Sequence, residues 1–273
     1  MPEITPPPLP KPVARWRWWV HLLIIVPYPA LLGLLGAGRH ESHQAALSGS
    51  WPGLLKVCAF EVVVFGLVVA IALGISKASR DDLMLRIRGR QPGLMLALGV
   101  GYAVAIRLAL GIVLTVIGTV MVLGHLTTWE ALQAFVKSHR PDIETVVNLQ
   151  ALRHDPVYLA LTLTLVSFVV AGLREELWRS ASLTALRKLW PRWFGSRTGE
   201  YAAVVVTSLV FGFGHMPQGV IAVGATALIG IALGSIMVFH RSTWVAVIAH
   251  GMFDATSFAL IALVADKLPE LTR

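Results

Sequence analysis

Long, nearly uncharged apolar runs constrain this chain more than any other feature. Between Pro52 and Ile75 the only charged residues are Lys56 and Glu61, and between Gly93 and Gly124 the only one is Arg107. Runs of about 18 or more such residues read as membrane-crossing helices. Charged residues make up 14% of the 273-residue chain, against about 25% in soluble domains. The expected fold is all-α, a polytopic transmembrane helical bundle of about seven to eight spans with no room for a large aqueous domain.

The chain divides into three stretches. Residues 1–18 are a Pro-rich tail expected to be disordered. Residues 19–155 hold N-terminal transmembrane helices and interfacial segments, and 156–273 form a second helical core. The first span, Trp19–Ala37, lacks a cleavage pattern, reads as retained, and should kink at Pro27 and Pro29. Spans follow at Pro52–Ile75 and at Gly93–Gly124, the latter long enough to be tilted or broken near Gly111. The basic stretch Lys77–Arg90 is expected on the membrane surface, and His125–Asp155 as an interfacial helix. A fourth span starts near Pro156 and continues helically to about Trp190. Tyr201–His215, Val220–Phe239 and Thr243–Ala265 complete the set. Gly230 and Gly234 form a GxxxG that permits close packing of the sixth span.

The net charge is +8, carried mainly in alternate loops, which puts the N-terminus in the cytoplasm and suits anionic lipid headgroups. No phosphate-cradling glycine loop or zinc-finger spacing points to nucleic acid. The single cysteine, Cys58, allows no internal disulfide.

Ionisable groups inside spans are costly and are functional suspects. Here they are Glu61, Arg107, Arg174, Glu175, Glu176, Arg179, His215, His250 and Asp254. Arg179 is four residues from Glu175 and three from Glu176, so it can pair with either. Phe211 and His215 lie one turn apart, and Pro217 ends that helix. His250 and Asp254 repeat the one-turn spacing, so the carboxylate can accept from the imidazole. Each element alone also reads as structural: an interfacial charge cluster, an interfacial histidine, a self-satisfied His–Asp pair. His21 and His240 read as interfacial. Together, carboxylates and two histidines on three spans can activate water, a glutamate acting as base and the histidines holding the water or the oxyanion. His215 and His250 with a glutamate also make a candidate zinc set, although no HExxH is present. Helix lengths put Glu175 and His250 near the cytoplasmic side and His215 deeper. An ion-transport role lacks the inverted repeat such proteins carry.

At these residues the chain resembles the CPBP family of intramembrane proteases, which includes the type II CAAX prenyl endopeptidases. Phe211-Gly-Phe-Gly-His215 and His250-Gly-Met-Phe-Asp254 match two elements of the family pattern. The first element, a Glu-Glu-x-x-x-Arg helix, departs: Arg174-Glu175-Glu176-Leu177-Trp178-Arg179 puts Arg174 at the first glutamate when aligned on Arg179. The resemblance implies an intramembrane endopeptidase of a bacterial plasma membrane, acting on a membrane-embedded or lipid-anchored protein or peptide. It implies Glu175 as base, with Glu176 next, or else a non-catalytic relative of scaffold or bacteriocin self-immunity type. Arg179 would orient a glutamate, His215 and His250 would hold the water or polarise the carbonyl, and Asp254 would support His250.

Overall fold

A computed structural model describes residues 13–29, 31, 47–87 and 91–264. Within them the chain is helical throughout, with no strand. Helix α1 is Arg15–Ile25, α2 Trp51–Ser76, α3 Pro92–Leu123, α4 Trp129–Ser138 and α5 Leu149–His154. Helix α6 runs Pro156–Leu189, followed by α7 Arg197–Gly214, α8 Val220–His240 and α9 Thr243–Val264.

Five of these (α2, α3, α6, α8 and α9) are long and apolar enough to cross a membrane. Two expected spans are not among the five. The first stops as a described α-helix at Ile25, just before Pro27, and most of its continuation to Ala37 lies outside the described residues. The other, α7, is 18 residues opening on Arg197 and Glu200, and it packs between α6 and α8. Helix α3 is continuous through Gly111, with 32 residues and so about 48 Å of rise, more than the ~30 Å hydrocarbon core. The stretch 125–155 yields the amphipathic α4, the short α5 and a single 3-10 turn rather than one helix.

The centre of the fold is α6. Asp155 caps it, its carboxylate accepting from the Val157 and Tyr158 amides, with Pro156 at the first helical position where no N–H is needed. Between Thr162 and Leu173 the helix widens to π geometry, and Ser167 Oγ donates to the Thr162 carbonyl five residues back at 2.8 Å. From Arg174 on it is α again, rich in small residues and buried on nearly every side. Helices α1, α2, α7, α8 and α9 all pack against this half. Gly172 and Gly251 bring the π segment against α9, where an added Cβ on Gly172 would sit 3.0 Å from the Val247 carbonyl oxygen.

Two surface expectations need correction. The segment after α2 is not wholly a surface segment: Leu83 and Met84 are buried and wedged into the bundle, while Lys77, Arg80, Asp81 and Arg86 stay exposed. Every carbonyl from 82 to 85 finds a donor. Thr184 Oγ1 reaches Asp82 O, Ser180 Oγ and Thr243 Oγ1 reach Leu83 O, the Thr243 amide reaches Met84 O, and Trp244 Nε1 reaches Leu85 O. A buried irregular segment is tolerated only when its backbone groups are so satisfied. His21 is likewise not interfacial. It is fully buried, with Nδ1 against Ser76 Oγ at 2.9 Å and Nε2 against the Ala181 carbonyl at 3.2 Å, because α1 packs directly on α2 and α6.

The basic segments gather at one end of the bundle. Arg15 donates to the last carbonyl of α6 (Leu189), Arg17 to Ile75 near the end of α2, and Arg197 to Phe239 near the end of α8.

Candidate active site

Helices α2, α6, α7, α8 and α9, with Tyr28 and Pro29 just after α1, surround a cavity of about 570 Å³. Glu61, Arg174, Glu175, His215, His250 and Asp254 all line it, among apolar neighbours such as Val170 and Phe258. Three of the expected catalytic elements thus reach one space. The expected depth mismatch does not keep the elements apart, since Glu175, His215 and His250 line the same cavity.

The two adjacent glutamates have separate surroundings. Glu176 is fully buried and bonded to Arg179, the i,i+3 partner, and its Oε1 also accepts from His250 Nδ1 at 2.9 Å. Glu175 faces the cavity with 16% of its side chain exposed. Its Oε1 accepts from Arg174 Nη2 at 3.0 Å, and its Oε2 lies 3.7 Å from His250 Nε2. The spacing left Arg179 free to pair with either glutamate; in the folded chain it takes Glu176.

Arg179 itself occupies a niche cut by the GxxxG of α8. A Cβ on Gly230 would lie 3.3 Å from Arg179 Nη2, and one on Gly234 would lie 3.2 Å from its Cδ. The guanidinium also sits 5.0 Å over the Phe211 ring, a favourable cation–π contact. Span six is a packing element, as expected, and what it packs around is the arginine.

His215 caps the end of α7, with Nδ1 3.0 Å from the Phe211 carbonyl and its ring edge-on to Phe211. That bond leaves Nε2 to face the cavity. Asp254 does not hydrogen-bond His250 as the one-turn spacing suggested. Its Oδ2 is 3.6 Å from His250 Nε2, an ion-pair distance, while Nδ1 is held by Glu176. The candidate zinc set gains no support from the donor arrangement: among the described residues no three His, Cys, Asp or Glu side chains are grouped to hold an ion.

Two charged residues inside the spans, Glu61 and Arg107, had no assigned role in the sequence, and only Glu61 lines the cavity. Glu61, on α2, pairs with Arg174 Nη1 at 2.5 Å, so Arg174 is held between two carboxylates. A lone charge in an apolar run was the only signal for it. Arg107 reaches α9, donating to Thr256 Oγ1, Ser257 Oγ and the Phe253 carbonyl, and fixes α3 beside the site.

Residues 157–256 match the family model of the Type II CAAX prenyl endopeptidase Rce1-like proteins. No curated protein and no solved structure matches the chain.

Proposed function

We propose, from the match of residues 157–256 to the Type II CAAX prenyl endopeptidase Rce1-like family model, that the chain is an intramembrane endopeptidase in which Glu175 activates water. The observation that carries this reading is the division of labour between the two glutamates. Glu176 has its contacts in Arg179 and His250, whereas Glu175 presents a carboxylate to a cavity that also holds His215, His250 and Asp254.

In this mechanism Glu176 accepts from His250 Nδ1–H and so fixes the imidazole with Nε2 toward the cavity. A water between Glu175 and His250 gives its proton to Glu175 as its oxygen attacks the scissile carbonyl. His215 and His250, when protonated at Nε2, donate to the oxyanion that forms. Glu175 then returns the proton to the leaving amine as the C–N bond breaks. Asp254, 3.6 Å from His250 Nε2, supports that side of the imidazole. Arg174, shared by Glu61 and Glu175, keeps these two of the cavity's three carboxylates from repelling one another. The substrate is a membrane-embedded or lipid-anchored protein or peptide, consistent with a largely apolar cavity. The basic end faces the cytoplasm, with the N-terminus on that side.

Profiling of new protein termini in membranes carrying the wild type or Glu175→Gln tests the reading. Cleavages present only with the wild type support it. If Glu175→Ala and Glu176→Ala both cleave at the parent rate, the reading fails.

A further inference from the structure

A second, smaller pocket lies at the basic end, away from the cavity. It has a volume of about 210 Å³ and is lined by Asp81, Met84, Arg86, Arg187 and Arg241. Three guanidiniums reach it from three separate segments: the wedged loop, the last turn of α6 and the turn between α8 and α9. Glu200, 3% exposed, accepts from Arg187 at 2.8 Å and from Arg241 at 2.6 Å through one oxygen, which holds those two side by side. Arg187 is tied further to the Asp82 carbonyl, and its buried Nε has no hydrogen-bond partner among the described residues. Arg86 is paired with Asp81 at 3.2 Å, but both are solvent-exposed, so this partner exchanges readily. Three arginines against Asp81 and Glu200 leave one positive charge. Met84 and Arg241 hold left-handed backbone, φ 53° and 51°, a conformation unfavourable for residues with a Cβ.

We propose that this pocket binds the phosphate of an anionic phospholipid headgroup. Planar guanidinium forks match phosphate oxygens, and basic pockets between membrane helices suit acidic headgroups. Two neighbours favour a lipid over free phosphate. Ile87 and Phe239, each 60% exposed, flank the arginines and offer apolar surface to acyl chains. Exposed indoles at the same end, Trp16 and Trp193, mark the level of the headgroups. The proposal does not depend on proteolysis.

Native mass spectrometry of the purified chain in micelles with equimolar short-chain phosphatidylglycerol and phosphatidylcholine tests it. The wild type should retain phosphatidylglycerol preferentially, and Arg86→Gln with Arg241→Gln should lower that retention about tenfold. Arg86→Gln alone, at an exposed side chain that leaves the fold intact, should lower it about threefold. Arg192→Gln, at the same end but outside the pocket, should leave it unchanged. Equal retention by wild type and variants overturns the proposal. So does an equal loss in Arg192→Gln, which would mean a diffuse basic belt, or full displacement by inorganic phosphate at the same concentration.

Discussion

Helix α6 carries two ion networks, and they are built on different terms. The inner one joins Glu176, Arg179 and His250 where exposure is 0%, 0% and 6%. Its charged groups are paired with one another and Arg179 lies over a ring face, while Glu176 Oε2 and Arg179 Nε and Nη2 have no hydrogen-bond partner among the described residues. The outer one joins Arg187, Lys188, Asp82, Glu200 and Arg241, with Lys188 44% and Arg241 41% exposed. There the arginines divide their donors between carboxylates and backbone carbonyls, and water is at hand. Removing one partner of the buried inner pair strands a charge, whereas the more exposed Lys188–Asp82 pair of the outer network contributes little.

This contrast can be broken by substitution. The largest effect belongs to chemistry: Glu175→Gln should lower the cleavage rate about 10²–10⁴-fold without lowering the melting temperature of the detergent-solubilised protein. Arg179→Gln should instead destabilise the fold by about 3–5 kcal/mol, read by thermal unfolding, because Glu176 loses its buried counter-charge. If Arg179→Gln melts like the wild type, the inner network is not the constraint described. Gly234→Val should cost about 1–3 kcal/mol by the same measurement, since its side chain meets Val204 and the Arg179 stem. At the outer end, Lys188→Gln should change stability by only a few tenths of a kcal/mol.

A pH titration sharpens the outer half. Burial opposes the charge on Asp82, but hydrogen bonds from Lys188 and from the Ser79 amide and hydroxyl outweigh it, so its carboxyl is held below the ordinary aspartate range. A depressed pKa contributes stability that is fully present above the unfolded value and is lost as pH falls through the folded one. Wild type should therefore lose a few tenths of a kcal/mol more than Asp82→Asn on acidification below about pH 4. Equal acid sensitivity of the two proteins would remove Asp82 from the network.

How far the sequence made this legible follows the same division. Apolar run length was enough for the bundle and for most of its helix limits, since lipid leaves a spanning segment few alternatives. The charges inside those runs marked the cavity residues, including Glu61, because an ionised group at that depth needs a partner. What the sequence left open was which partner. Arg179 sits within reach of both glutamates, and only the niche beside Gly230 and Gly234, on a helix 50 residues away in the chain, decides for Glu176. His21 and the 82–85 loop were misplaced for a related reason. Their polar groups look suited to water, and the donors and acceptors that bury them come from distant helices.

The π segment ahead of Arg174 works as a phase adjuster. Its wider turns place more residues per revolution than an α-helix does, so Glu175 and Glu176 arrive at a different azimuth than α winding from Pro156 would give them. Since consecutive α residues differ by about 100°, a small change in that winding is enough to exchange which glutamate looks into the cavity and which looks at Arg179. A chain that reads Arg-Glu-Glu rather than Glu-Glu can therefore bring a carboxylate to the cavity by rewinding the helix upstream, with no change in the motif itself.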